Sequence, residues 1–223
     1  MFFIIYVIYI RFWINITSPK TSKYLMKKII SLLFLVALSS CDQNHSNEKF
    51  EKKTVENKYS LSVPESLGVT TELNDQASLQ LQNQFDEFYV IVIDELKSDF
   101  LNAIENNLLN TTPDLDGYYN ATLNNFKKSG LKDFKLYDVK KKKINSSSAI
   151  VFSVSGISDG FNVFYRFAIV QGKDRYYQIM SWTEASKEKQ YTERMNRILD
   201  SFNVEEAGYS KSKNRLAKER TKK

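Results

Sequence analysis

Ile150-Val151-Phe152-Ser153-Val154-Ser155-Gly156-Ile157-Ser158-Asp159-Gly160-Phe161-Asn162-Val163-Phe164-Tyr165-Arg166-Phe167-Ala168-Ile169-Val170 consists of two apolar runs around one turn signal. Successive side chains of a strand point to opposite faces. Ile150, Phe152 and Val154 therefore share one face, as do Phe161, Val163, Tyr165, Phe167 and Ile169. Phe164, Ala168 and Val170 make the opposite face apolar as well, which requires a sheet covered on both sides. Asp159-Gly160 suits a tight hairpin turn, and strands joined this closely must run antiparallel.

Working outward, Gly172-Lys173-Asp174 turns into a tyrosine-rich strand from Arg175 to Thr183 containing Trp182, and Phe134 to Ile144 supplies a strand before the hairpin. From about Lys187 to Phe202, Tyr191, Met195, Ile198, Leu199 and Phe202 form a helical stripe that should dock on one face of the sheet. Upstream, the alternation from Val55 through Tyr59 and Leu61 to Val63 predicts a strand ended by Pro64, and Ala77 to Gln84 predicts another. Phe88 to Ile93 is apolar on both faces, with Phe88, Val90 and Val92 opposed to Tyr89, Ile91 and Ile93. Phe100, Leu101, Ile104, Leu108 and Leu109 recur at helical spacing, and so do Leu115, Tyr119, Leu123 and Phe126, with Thr112 as the expected N-cap and Pro113 at the first helical position. The expected architecture is α/β, a largely antiparallel sheet of about six or seven strands with helices on both faces.

Tyr59-Ser60-Leu61-Ser62-Val63-Pro64, Arg175-Tyr176-Tyr177-Gln178-Ile179 with Trp182, and Ile198-Leu199-Asp200-Ser201-Phe202 resemble the PsbP-like proteins, a group that includes the DcrB-type envelope lipoproteins. The resemblance spans about residues 59–202 and implies an α/β/α sandwich. It implies no active site that maps onto residues of this chain, because its motifs mark strand and helix ends rather than chemistry.

The listening point for location is Cys41, the single cysteine. Lys27 and Lys28, the apolar run Ile29 to Leu38 and the small pair Ser39-Ser40 form a secretory signal, too short for the roughly 20 residues of a membrane span. Leu38-Ser39-Ser40-Cys41 resembles the lipobox of bacterial lipoproteins, which implies cleavage before Cys41 and a diacylglyceryl thioether, palmitate-type chains included, on its sulfur. Two acyl chains anchor stably where one does not. Residues 1–25 are then a mis-assigned start or a leader, Met26 being a normal signal start; an extended signal anchor through Arg11 and Phe12-Trp13 is the alternative. The organisation expected is 1–25 leader, 26–40 signal peptide, 41–54 flexible tether, 55–204 PsbP-like domain and 205–223 basic disordered tail. The cell envelope follows as the location, with the outer membrane favoured and the inner membrane open because Asp42 follows the cysteine.

Net charge is +6 over the 223 residues, yet the basic excess lies outside the domain. Residues 1–40 carry five basic side chains and no acid, and 207–223 carry seven basics against Glu219, which leaves 20 basic and 25 acidic residues for 41–206. A mildly acidic fold argues against nucleic acid as partner.

The lone His45 falls in the expected tether, so the domain holds no Ser-His-Asp, Cys-His or histidine–cysteine zinc set. No glycine spacing fits a phosphate loop, and no cofactor or metal is implied. Asp114-Leu115-Asp116-Gly117 resembles a fragment of a calcium loop, but Tyr118-Tyr119-Asn120-Ala121 follows in place of further oxygen ligands, so the aspartates read as first-turn helix residues. Asp94, Glu95 and Asp99 are the carboxylates that would serve a hydrolase, and Lys140 to Lys143 read as lysines guarding an edge strand. Tyr176, Tyr177, Trp182, Tyr165 and Arg166, with Phe164 beside them, concentrate aromatic surface for a partner or ligand. The function expected is a non-enzymatic envelope lipoprotein, held to the membrane by diacylglyceryl-Cys41, that binds an envelope protein or assists assembly of a complex. Carriage of a small apolar ligand and carboxylate-dependent hydrolysis are the alternatives.

Overall fold

The computed structural model describes residues 48–55 and 57–206. The leader, the signal, Cys41, Asp42, His45 and the tail 207–223 lie outside the described residues.

The hairpin that decides the fold forms as its sequence dictates. β7 (Ser147–Ser158) and β8 (Phe161–Gln171) pair antiparallel from Ala149↔Val170 to Ser158↔Phe161, and the two turn residues Asp159 and Gly160 take φ of 51° and 88°. Both are left-handed, the conformation that Asp-Gly turns accept most readily. β9 (Arg175–Glu184) follows through the second turn and pairs with β8. β3 (Gly68–Val69), β4 (Ala77–Asn83), β5 (Phe88–Leu96) and β6 (Lys132–Ile144) complete a seven-stranded antiparallel sheet in the order β3-β4-β5-β9-β8-β7-β6.

Helices cover both faces. α1 (Lys97–Glu105) and α2 (Leu115–Lys127) pack on one side, where Phe100, Tyr118 and Leu123 join Ile150, Phe152, Val154, Phe167, Ile169 and Tyr176. α3 (Glu188–Asp200) lies on the other, with Tyr191, Met195, Ile198 and Leu199 buried against Phe88, Val90, Val92, Phe164, Ala168 and Ile179. This is the expected α/β/α sandwich. Aromatic stacking organises the α2 side, where Phe152 and Phe167 lie 4.7 Å apart at 6° and Phe126 meets Phe167 edge-on at 5.0 Å.

Five local expectations are corrected. Residues 50–55 form β1 (Phe50–Val55) rather than the end of a tether, and Asn57, with φ of 58°, turns the chain into β2 (Tyr59–Pro64). β1 needs little apolar content because its side chains are held one by one: Arg197 lies 3.6 Å from the centre of the Phe50 ring, and Lys53 pairs with Glu51 at 2.7 Å. A strand from Val55 to Val63 thus becomes a hairpin, and with β10 (Asn203–Val204) it makes a second, three-stranded sheet in the order β1-β2-β10. At the far boundary, Glu205 and Glu206 belong to the fold: Glu205 accepts from Ser60 at 2.6 Å and Glu206 from the Asp174 amide at 2.6 Å. The cap of α2 is Asp114, which accepts from the Gly117 amide at 2.8 Å, whereas the Thr112 hydroxyl donates to Asp114 at 2.7 Å. α1 stops at Glu105, leaving Leu108 77% exposed.

β6 is the edge that its lysines suggested. Lys141 pairs with Asp116 of α2 at 2.6 Å and Lys142 with Asp200 of α3 at 2.7 Å, so consecutive lysines do reach opposite faces.

Candidate functional site

The aromatic concentration of the sequence is divided by the sheet. Tyr176 and Tyr177 are neighbours in β9 and therefore face opposite layers. Tyr176 is buried beneath α1 and α2, stacked on Tyr118 at 4.3 Å with Phe100 edge-on at 5.7 Å. Tyr177 is buried on the α3 side, 5.2 Å from Phe202, and donates to Glu206 at 2.8 Å with the Lys58 carbonyl oxygen 3.1 Å away. Burial, then the Glu206 carboxylate, pushes its hydroxyl pKa far up. Neither ring can meet a partner.

Arg166 is corrected in the same way. It is 7% exposed, its Nε donates to Asn196 of α3 at 3.0 Å and one terminal nitrogen donates to Ser153 at 2.8 Å, with Asp138 at 3.7 Å. Burial lowers the pKa of its guanidinium, and Asp138 and Asp200 partly offset that. It joins β8 to α3 and β7, a structural position. Phe164 is core.

Trp182 and Tyr165 remain, and the register adds a residue that the sequence reading left in a strand face. Tyr89 of β5 pairs with Trp182 of β9, which pairs with Tyr165 of β8. The three side chains stand in one row across adjacent strands, Tyr89 to Trp182 at 5.1 Å and 16°, Trp182 to Tyr165 at 5.9 Å and 29°. Tyr165 leans on α2 through Phe126 at 5.1 Å, whereas Tyr89 and Trp182 belong to neither core cluster and are half-buried. Burial and, secondarily, Asp159 raise the pKa of the Tyr165 hydroxyl, keeping it a neutral donor. On the β4 flank, Gln80 accepts from the amides of Leu73 and Asn74 at 2.8 and 2.9 Å and ties down the neighbouring loop. The row is a flat, amphipathic, sheet-supported surface: three rings for apolar contact, with hydroxyl and indole groups for hydrogen bonds.

The carboxylates do not assemble. Asp94 turns to the α3 side, where Lys58 reaches it at 2.9 Å and Arg175 at 2.6 Å, and its side chain is 3% exposed. Burial by itself would raise its pKa, but hydrogen bonds from Ser78 and Lys58 and the charges of Lys58 and Arg175 outweigh burial and hold it below the usual carboxylate range. Glu95 turns the other way and accepts from the Tyr118 hydroxyl at 2.9 Å, which in turn accepts from Gln178 at 2.9 Å. Asp99 is exposed in the first turn of α1. Two neighbouring carboxylates on opposite faces cannot act on one substrate atom. Among the described residues no group of three or more acidic, histidine or cysteine side chains is placed to hold a metal. A depression of about 520 Å³ near the start of α2 is open to solvent and lined in part by Asp114, Leu115, Asp116, Lys141 and Lys143.

No protein-family model matches the chain, and no curated protein matches its sequence. Among solved structures it is similar to cyanobacterial PsbP (CyanoP) from Synechocystis, at 10% identity and a TM-score of 0.49, over 75% of this chain and 99% of that one. It is also similar to LpqN, involved in cell envelope biogenesis in Mycobacterium tuberculosis, at 10% identity and a TM-score of 0.42, over 71% of this chain and 91% of that one. A protein of unknown function from Pseudomonas aeruginosa gives 11% identity and a TM-score of 0.43, over 68% of this chain and 94% of that one. With every TM-score below 0.5, these likenesses carry no activity, partner or ligand to this chain.

Proposed function

We propose that the chain is a non-catalytic accessory lipoprotein of a bacterial envelope, anchored through Cys41, whose domain docks an envelope protein on the row Tyr89–Trp182–Tyr165. The observation that carries this reading is the row itself: three aromatic side chains stacked across adjacent strands and left half-exposed. Binding energy at protein interfaces concentrates in such tryptophan and tyrosine anchors. The tied positions of Asp94 and Glu95 count against hydrolysis, and the depression near α2 is open to solvent rather than an enclosed cavity for an apolar cargo. The role calls for no cofactor, metal or nucleic acid. The outer membrane is favoured and the inner membrane is the alternative left by Asp42.

The test is crosslinking in intact envelopes followed by pull-down of the wild-type chain and of Trp182→Ala. A reproducible partner lost at least tenfold in the variant, with the fold intact by circular dichroism, supports the reading. Equal recovery from both chains overturns it.

A further inference from the structure

The end of the sheet that carries the aromatic row also carries two unburied phenylalanines. Phe85, in the turn between β4 and β5, is 100% exposed, and Phe161, which follows the β7–β8 turn, is 71% exposed. The register fixes both at one end: Tyr89 opposes Trp182, Val163 opposes Glu184, and Ser158 opposes Phe161. Phe161 stands on β8 and Phe85 joins β4 to β5, so at about 4.8 Å per strand the two are roughly 12 Å apart across the sheet. Single exposed apolar residues need no explanation, but two hairpin tips ending in phenylalanine beside a half-exposed tryptophan make a patch.

The chain enters the domain at the same end. Arg194 of α3 bonds Glu48 at 2.9 Å and reaches Asp86, the residue after Phe85, at 3.9 Å, while its guanidinium lies over the ring of Phe88. Seven residues lead from Cys41 to Glu48, which fully extended span at most about 25 Å. A lipid on Cys41 therefore confines this end of the sheet to the neighbourhood of the bilayer.

We propose that the tips bearing Phe85 and Phe161 dip into the lipid headgroup layer, so that the domain rides on the membrane surface with the β4–β5 and β7–β8 turns downward. The proposal rests on the reading of Cys41 as the anchor. Aromatic rings settle at the boundary between headgroups and acyl chains. Charge is mixed at this end, Lys132 and Lys187 standing against Glu87, Asp159 and Glu184, so the contact does not depend on anionic lipid.

The test uses the lipidated full-length product in neutral phosphatidylcholine vesicles. With Cys41 carrying the lipid, Phe85→Cys introduces the one free thiol for an environment-sensitive dye, and Lys173→Cys places the same dye in the exposed turn at the opposite end. The dye at 85 should shift to the blue on vesicle binding, gain several-fold protection from iodide and be quenched by brominated acyl chains, and a dye on Phe161→Cys should do the same. The dye at 173 should stay water-like. A vesicle-bound chain whose dyes at 85 and 161 remain as accessible as the one at 173 overturns the contact and leaves the anchor standing. A chain whose mass shows no diacylglyceryl group on Cys41, and which does not float with vesicles, overturns both.

Discussion

The two ends of the large sheet are built on opposite terms. At one end, Asp94, Lys58, Arg175, Tyr177 and Glu206 are joined by charge-assisted hydrogen bonds, and Lys97 donates to the Gly172 carbonyl oxygen at 2.7 Å. At the other, Phe85, Phe161, Trp182 and Tyr89 present rings to the outside. The first end spends its polar chemistry internally, closing the hairpin β1–β2, strands β5 and β9 and the residues after β10 into one unit. The second leaves contact area unspent. Stability should be concentrated at the first and recognition at the second.

Substitutions that separate those properties test the contrast. The largest effect is expected at Asp94: Asp94→Ala removes a buried acceptor from two cations and should cost about 2–4 kcal/mol in denaturant unfolding, toward the lower end for buried pairs because Lys58 and Arg175 keep contact with water. Since its folded pKa lies below the unfolded value of about 3.9, the ionised carboxyl stabilises fully above that value, and the contribution is lost as pH falls through the lower folded pKa. Asp94→Asn should therefore flatten the acid limb of stability below about pH 4, and an unchanged limb would assign it to other groups. A smaller loss, about 1–2 kcal/mol, is expected for Gly172→Ala, where a Cβ would stand 2.8 Å from the Tyr177 ring and displace the Glu206 carboxylate. The smallest belongs to the open end: Phe85→Ser should leave stability within about 0.5 kcal/mol. A loss above about 1 kcal/mol there would break the comparison, because it would show Phe85 packing within the fold.

The sequence made one class of feature legible and concealed another. Strands β7, β8 and β9 could be read because Asp159-Gly160 demands a turn and the apolar alternation on either side is long, and α3 because its stripe is regular. The small sheet could not, since Phe50 to Val55 carries two large apolar residues in six and the turn at Asn57 lacks glycine. The α2 cap was misplaced by two residues because Thr112 and Asp114 both suit the position, and the close approach of Gly117 to the Thr112 carbonyl, which leaves no room for a Cβ, shows only in the folded backbone. For the candidate site the obstacle was register. Alternation already implied that Tyr176 and Tyr177 part company, as do Tyr165 and Arg166, but only the pairing of β5 with β9 brings Tyr89 beside Trp182.

The ion pair between Glu48 and Arg194 and the bond from Glu206 to the Asp174 amide place the chain's entry and exit at opposite ends of the same strands. β9 alone, ten residues at about 3.3 Å each, is roughly 30 Å long. A domain threaded in this way is a strut. The entry at Glu48 and the exit at Glu206 are thereby held apart by the length of the sheet strands.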